Sequence, residues 1–572
     1  MSPDLPLIVQ SDRTMLLEAD HAAFEDARDA LARFAELVTS PEHYHTYRIT
    51  PLSLWNAASS GLTADAIIED LNRFCRYPVP ENVLYEIREQ VGRYGMLRLV
   101  KEDDHLVLEA EEDHLITQFL ADKRIKPLFG KKLSKKRIIV PREHRGLLKQ
   151  TLIKRGFPVE DISGYIDGKS LEFSLRESAL NGDDFALRKY QEDAVRVFYS
   201  EGDVRGGSGV LVLPCGAGKT VIGIGALERI GQHTLILSTN ITALRQWRDE
   251  LLDKTTLQPE DIGEYSGEVK QIRPITITTY QILTYRKSKG KEFVHMDLFD
   301  KGDWGLIIYD EVHMLPAPVF RAVADLQAKR RLGLTATLIR EDGKETEVFS
   351  LIGPKKIDIP WKTLEKQGWI AQAQCNEVRV ALPEALRMEY AIADRKAKFR
   401  LASENSAKID VIEKILEHHR DDQVMIIGQY LDQLDLMAKA FNAPIITGKT
   451  PTDERECIYG RFKRTDIKLI IVSKVANFAV DLPEASVAIQ VSGTFGSRQE
   501  EAQRLGRILR PKRDGGQAYF YSVVTEETRE REFASKRQLF LTEQGYRYRI
   551  TNDLDELFGN ATVATAQSNH TE

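Results

Sequence analysis

The sequence predicts an α/β chain: two tandem lobes, each a parallel sheet with helices on both faces, preceded by a winged-helix-like module and a small basic accessory domain. Three observations predict it. From Phe185 onward, apolar runs of strand length alternate with helical stretches. A second alternation of the same kind begins near Ile409. In the first series, the apolar run Gly209–Leu213 breaks into Pro214-Cys215-Gly216-Ala217-Gly218 and reopens as an apolar helix from Val221 to Ile230, giving strand, glycine loop, helix.

Length and composition bound the rest. A chain of 572 residues is too long for one core, so several domains are expected. Hydrophobic residues at 42% and charged residues at 29% fit a soluble globular protein. No run of about 18 apolar residues could span a membrane. The N-terminus, Met1-Ser-Pro-Asp-Leu-Pro6, lacks the basic-then-apolar order of a signal peptide. Cys75, Cys215, Cys375 and Cys457 lie far apart, so no disulfide framework or metal spacing is expected and a reduced compartment fits. The net charge of −6 argues against nucleic-acid binding by the surface as a whole.

The elements are expected in this order. Residues 1–118 read as helical. Leu16–Leu37 has apolar residues near helical spacing. Thr50-Pro51 starts a helix through Ala58, Thr63 caps one through Phe74, and Pro80-Glu81 opens one through Tyr94. Two strand-like runs follow, Met96–Val100 and Leu106–Glu109. Three helices and a hairpin are the order of a winged helix, which serves either DNA contact or packing; no dense basic helix marks a recognition element.

Residues 119–182 form the basic domain. Ala121–Arg155 holds thirteen lysines and arginines against two acids, Asp122 and Glu143. Such an excess inside an acidic protein points to phosphate-backbone contact. Arg137–Val140 is its strand candidate, and Asn181–Asp184 its linker. The first lobe, 183–360, has strands at Val210–Leu213, Thr234–Leu237, Ile275–Thr278, Leu306–Ile308 and Leu332–Leu334. The second, 361–555, has strands at Val424–Ile427, Ile445–Ile446, Leu469–Val472, Val487–Val491 and Tyr519–Val523. Residues 556–572 read as a disordered tail.

The candidate chemistry sits at the carboxyl ends of these strands, where open α/β sheets bind ligands. Gly216 and Gly218 let backbone N–H groups cradle phosphate oxygens at a helix N-terminus. Lys219 is placed to reach the β- and γ-phosphates, and the Thr220 hydroxyl to hold Mg²⁺. The loop departs from G-x-x-x-x-G-K-[ST] at its first glycine, where Leu213 stands. Strand Leu306–Ile308 runs into Asp310-Glu311-Val-His313: Asp310 suits Mg²⁺, Glu311 the attacking water, and His313 coupling to the next motif. Thr335-Ala-Thr337 is a relay candidate. In the second lobe, Gln503-Arg-Leu-Gly-Arg507-Ile-Leu-Arg510 puts Arg507 and Arg510 on one helix face as arginine fingers, with Gln503 toward the γ-phosphate or the water.

On Gly216–Thr220, Asp310–His313, Thr335–Thr337 and Gln503–Arg507 the chain resembles superfamily-2 helicases. Leu332–Asp342, with the triplet Arg340-Glu341-Asp342, is similar to the XPB family of repair helicases. Leu351–Lys355, Val472–Lys474, Asp481–Ala485, Glu501–Arg507 and Ser535–Gln538 agree with it over about Phe185 to Ile550. The resemblance implies two RecA-like helicase lobes hydrolysing ATP with Mg²⁺ and moving 3′→5′ on DNA in repair. It implies adenine contact at Arg188 and Gln191, and phosphate-loop contact along Pro214–Thr220. It implies strand tracking at Ser238–Asn240, Gln246-Trp247 and Thr278–Gln281, and DNA coupling at Arg340, Glu341, Asp342, Lys474 and Asp481. It also implies a damage-recognition role for the basic domain and a thumb-like insertion at about 382–408.

Lys474–Asp481 departs from the family by carrying Ala476, Asn477 and Ala479, so coupling of hydrolysis to stepping is expected to differ in strength. The expected partners are single-stranded, forked and damaged DNA, with a nuclease as protein partner. A cytoplasmic, nucleoid-associated monomer in a prokaryote is expected. A duplex translocase, a damage-binding factor switched by ATP, and an RNA substrate remain alternatives.

Overall fold

The computed structural model describes residues 5–39, 43–103, 105–180, 182–203, 206–288, 293–315, 319, 329–337, 345–473, 485–493, 504–506, 508–509 and 517–558. Two compact units carry it: Met1–Leu213 with Gly218–Ile359, and Pro360–Glu572 with Pro214–Ala217.

The first unit begins with a small antiparallel sheet. Its strands are β1 (Leu7–Val9), β2 (Thr14–Glu18), β3 (Glu36–Thr39) and β4 (Tyr44–Arg48), in the order β1-β2-β4-β3. Helix α1 (Phe24–Leu31) lies between β2 and β3. The expectation of one helix over Leu16–Leu37 is therefore corrected. A short strand, a two-turn helix and another strand in series scatter apolar residues at spacings that imitate a helical period. Pairing of β2 with the distant β4 decides the matter, with Met15 opposite Tyr47. Helices α2 (Pro51–Ser59), α3 (Ala64–Phe74) and α4 (Glu81–Arg93) follow where their start signals predict them. Thr50 and Ser53 form a reciprocal capping box on α2, and the Thr63 hydroxyl caps α3. Met15, Leu17, Phe24, Leu54, Ile67, Leu71 and Ile87 bury into one core shared by sheet and helices.

The expected hairpin forms as β5 (Leu97–Glu102) and β6 (His105–Ala110), but it is not a wing on those three helices. It pairs onward with β7 (Arg137–Val140) and β8 (Val159–Asp161) in a sheet ordered β7-β6-β5-β8. This sheet crosses the boundary drawn at 118/119. Helices α5 (Asp113–Ala121) and α6 (Arg145–Ile153) cover it, and Leu99, Leu108, Phe119, Ile138 and Leu152 fill its core. A hairpin's remaining sheet edges need partners, and those lie far along the chain, Glu109 opposite Arg137 and Leu97 opposite Val159, invisible to a local reading.

The first lobe is a seven-stranded sheet. Its strands are β9 (Ser208–Val212), β10 (Thr234–Ser238), β11 (Ile262–Tyr265), β12 (Ile275–Thr279), β13 (Leu306–Asp310), β14 (Arg330–Thr335) and β15 (Lys355–Asp358). The order is β11-β12-β10-β13-β14-β9-β15, every pair parallel. The registers Ser238↔Thr279, Leu237↔Tyr309, Asp310↔Leu334 and Thr335↔Val212 bring five strand ends to one edge. Helices α7 (Lys189–Tyr199), α8 (Lys219–Ile230), α9 (Ile241–Lys254) and α10 (Tyr280–Leu283) belong to this lobe.

The second unit repeats the plan. Strands β16 (Ala373–Val380), β17 (Val424–Ile427), β18 (Ile445–Ile446), β19 (Leu469–Val472), β20 (Val487–Gln490), β21 (Ala518–Thr525) and β22 (Tyr548–Thr551) run in the order β18-β19-β17-β20-β21-β16-β22, all parallel. The stretch 382–408 contains two helices, Glu384–Ile392 and Arg395–Ser403, the second capped by Asp394. Lys408 pairs with Glu530 at 2.8 Å, both fully buried.

Candidate active site

The site grows from the edge where the first lobe's strands end. Strand β9 lies between β14 and β15, and its Val210, Leu211 and Val212 are buried. Beyond it the Leu213 N–H bonds to the Thr335 carbonyl at 3.0 Å, tying the start of the glycine loop to the end of β14. Pro214, Cys215, Gly216 and Ala217 form the loop, and Gly218 caps α8. Gly216 and Gly218 sit at φ +82° and +74°, the left-handed region that glycine enters without steric cost. A Cβ at Gly218 would also lie 2.6 Å from Gln191 Nε2, so the Gln191 amide would have to move. Gln191 stands at the start of α7, where its Oε1 accepts the Arg188 backbone N–H at 2.9 Å. Two residues expected to contact the base are thus joined, and one of them abuts the loop.

Lys219 opens α8, followed by Thr220. The Lys219 ammonium lies 3.3 Å from Glu311 Oε1, both side chains mostly buried. Glu311 follows β13 at φ +48°, a left-handed conformation unusual for a residue with a side chain. His313 Nδ1 lies 2.7 Å from the Thr335 hydroxyl and 3.3 Å from Glu311 Oε2. The Thr335 hydroxyl donates to the Thr337 carbonyl at 2.5 Å and accepts the Thr337 N–H at 3.1 Å. The Thr335 hydroxyl also lies 3.4 Å from Glu311 Oε2, so Glu311, His313, Thr335 and Thr337 form one polar cluster. The Thr337 hydroxyl is buried and has no hydrogen-bond partner among the described residues.

Asp310 is held differently. Its Oδ2 accepts the Trp247 indole N–H at 3.0 Å, and its carbonyl accepts the Tyr280 hydroxyl at 2.8 Å. Burial, then the adjacent Glu311 carboxylate, pushes the Asp310 carboxyl up to about 6, with the Trp247 bond and Lys219 opposing. Burial would raise Glu311 as well, but the Lys219 and His313 charges outweigh it and lower its pKa.

The two carboxylates, one residue apart, are thus set apart in their readiness to ionise by unlike surroundings. Thr220 and Asp310 offer hard oxygen donors, the set that suits Mg²⁺ when phosphates and water complete its shell. Lys219 and the N-terminus of α8 suit phosphate.

The structure therefore brings Arg188, Gln191, Gly218, Lys219, Thr220, Asp310, Glu311, His313, Thr335 and Thr337 into the first lobe's strand-end region. Gln503, Arg507, Arg510, Arg340, Glu341, Asp342, Lys474 and Asp481 lie outside the described residues. Trp247, expected to track a strand, is instead buried at 1% exposure against Asp310, while its neighbour Gln246 is exposed. No local pattern links Trp247 to Asp310, 63 residues away; the one sequence signal is Gly223 within α8, which faces the indole.

The basic domain loses part of its free charge. Arg145 and Lys149 pair with buried Asp161 at 2.8 and 3.0 Å, Arg155 pairs with Asp122, and Arg137 pairs with Glu102 and Glu109. Lys123, Arg124, Lys126, Lys131, Lys132 and Lys135 remain exposed.

Comparison with known proteins places this site in context. Residues 364–572 match the ERCC3/RAD25/XPB C-terminal helicase family, and 184–340 match the type III restriction enzyme res-subunit family. Residues 7–134 match a family described as helicase conserved C-terminal domain, although that span folds here as the small sheets and their helices. The chain is 54% identical to the DNA 3′–5′ helicase XPB of Mycobacterium tuberculosis, over 98% of its own length and 100% of that protein's. It is 53% identical to the DNA 3′–5′ helicase XPB of Kineococcus radiotolerans, over 98% and 99%. It is 34% identical to the general transcription and DNA repair factor IIH helicase/translocase subunit XPB of Encephalitozoon cuniculi, over 97% of this chain and 84% of that protein.

Proposed function

The chain belongs to the XPB family of DNA 3′–5′ helicases, and from that premise we propose that it hydrolyses ATP to move 3′→5′ along DNA and separate its strands in DNA repair. The observation that carries this is the joining of Lys219 and Glu311 across the end of β13, beside a glycine loop that opens a helix.

Each residue has a role in this reading. The loop N–H groups and Lys219 bind the phosphates, and Arg188 and Gln191 contact the base. Thr220 and Asp310 hold Mg²⁺, which draws charge from the phosphate oxygens when bound. Glu311 orients the attacking water and takes its proton, its carboxylate kept ionised by Lys219 and steadied by His313. Arg507 and Arg510 are the arginine fingers of this reading, and Gln503 its γ-phosphate or water contact. Arg340, Glu341, Asp342, Lys474 and Asp481 couple it to DNA. The exposed lysines of the basic domain add sequence-independent backbone contact. Among the described residues no helix is long and apolar enough to cross a membrane. A nuclease partner belongs to the same reading through the family resemblance, and monomeric action and nucleoid association are proposed with it.

A forked duplex with a 3′ overhang, compared with one carrying a 5′ overhang, tests the proposal in the presence of ATP and Mg²⁺. Unwinding from the 3′ overhang alone, abolished by Glu311→Gln, is the expected outcome. DNA-stimulated hydrolysis without displacement on either substrate would overturn strand separation. It would favour a duplex translocase, a reading encouraged by the name helicase/translocase subunit that the Encephalitozoon cuniculi relative carries.

A further inference from the structure

Two rings converge on Asp310 from neighbouring strand ends. Trp247, on α9 after β10, gives its indole N–H to the Asp310 carboxylate at 3.0 Å. Tyr280, on α10 after β12, gives its hydroxyl to the Asp310 main-chain carbonyl at 2.8 Å. Both rings are buried, and each is followed or preceded in sequence by an exposed amide side chain, Gln281 beside Tyr280 and Gln246 beside Trp247. The far edge of the indole faces α8: a Cβ on Gly223 would lie 2.5 Å from its Cη2. Glycine at 223 is therefore what lets Trp247 reach beneath the phosphate-loop helix to Asp310. Neither ring can touch a nucleic acid, so their effect on the reaction must pass through Asp310.

We propose that Trp247 and Tyr280 are positioning residues that fix Asp310 from two DNA-facing elements, so that contact at Gln246 and Gln281 is transmitted to the aspartate that holds Mg²⁺. The proposal rests on the proposed function both for its DNA side and for the hold of Asp310 on Mg²⁺. A buried carboxylate beside Glu311 has several rotamers open to it once its donor is lost, and a donor to a metal-holding carboxylate commonly carries about 10–100-fold in metal affinity or activity. Small movements of α9 or α10 displace the ring, and the ring displaces the carboxylate. The elements that meet the strand thereby set the geometry of the nucleotide site.

Three variants of the full-length protein test this. Replacing Trp247 by its benzothiophene analogue swaps the ring N–H for sulfur and keeps the packing against Gly223. Trp247→Phe removes the donor and part of the ring, and Tyr280→Phe removes the other donor. Five quantities are read: the Tm, the Mg²⁺ concentration for half-maximal binding of a fluorescent ATP analogue, the affinity for single-stranded DNA, and kcat and KM for ATP with and without that DNA.

In the benzothiophene variant Tm and DNA affinity should match wild type. The Mg²⁺ midpoint should rise, and DNA-stimulated kcat should fall, each by about tenfold or more, with KM for ATP within about twofold. Tyr280→Phe should move the same two quantities in the same direction by less. A benzothiophene variant with wild-type Mg²⁺ midpoint and kcat would overturn the proposal. So would defects confined to Trp247→Phe and proportional to its loss of Tm, which would mark a packing role. If wild type shows no DNA-stimulated hydrolysis, the motor reading falls instead, and the Mg²⁺ titration still decides whether Trp247 positions Asp310.

Discussion

Glu311 and Gly218 show how single residues carry this site. Glu311 holds a left-handed backbone that costs a residue with a side chain about 1–2 kcal/mol. Its carboxylate is compensated by Lys219 at 3.3 Å and by His313. Gly218 is constrained twice, by φ +74° and by the Gln191 amide that occupies the place of a Cβ. Gly218→Ala should therefore weaken nucleotide binding by about tenfold or more, from a conformational penalty near 1–2 kcal/mol and displacement of Gln191. The same strain burdens the folded state, so the Tm should also fall, by about 1–4 °C. Titration with a fluorescent ATP analogue, alongside a melting curve, checks both. The identities of Lys219, Asp310 and Glu311 were legible because their motifs are local in sequence. The donors to Asp310 were not, because Trp247 and Tyr280 reach it only through strand order.

At the scale of elements, helix α8 is shaped by what it must lie against. Gly223 faces Trp247, and Gly225 faces Leu187 and Val195. Glycine inside a helix costs about 1 kcal/mol against alanine, yet here alanine would collide. Gly223→Ala should lower stability by about 1–3 kcal/mol, as overpacking does. The double variant with Trp247→Phe should be less destabilised than the two singles added together, a non-additivity read from melting curves of the four proteins. Element by element, the central strands of both lobes lie where continuous apolar runs predict them, because strands buried on both faces need such runs. The strands missed, β11, β15, β16 and β22, are short, polar or peripheral. Lys355–Asp358 and Tyr548–Thr551 sit at sheet edges, where pairing and not hydrophobicity defines the strand.

Across the whole first unit, the small modules are joined to the lobe. The Lys355 N–H bonds to Asn56 Oδ1 at 3.1 Å, Lys154 pairs with Glu347 at 3.4 Å, and Trp55, Ile153 and Phe349 share a buried cluster. At the heart of the basic domain Asp161 is buried between Arg145 and Lys149. Burial alone would raise its pKa, but the charges of Lys149 and Arg145 hold its carboxyl well below the usual carboxylate range. A carboxyl depressed on folding adds stability that is fully present above its unfolded pKa, about 4, and is lost as pH falls below that value. Asp161→Asn should therefore destabilise the protein by about 3–5 kcal/mol at neutral pH, since two buried cations lose their partner. The gap in Tm between variant and wild type should shrink as pH falls through about 4. Melting curves from neutral to acid pH test the sign.

The sequence by itself determined the two-lobe α/β plan, the nucleotide motifs and the family, because buried parallel strands and phosphate loops are written in short contiguous patterns. Only the tertiary structure decided three further things. Residues 7–39 form strands and a helix, and not one long helix, because β2 finds β4. The hairpin β5–β6 belongs to the basic domain because β7 and β8 complete its edges. Trp247 serves Asp310 because β10 and β13 are adjacent in the sheet although far apart in the chain. In each case the deciding contact joins residues distant in sequence, and a pairing across that distance leaves no periodicity behind for the sequence to display.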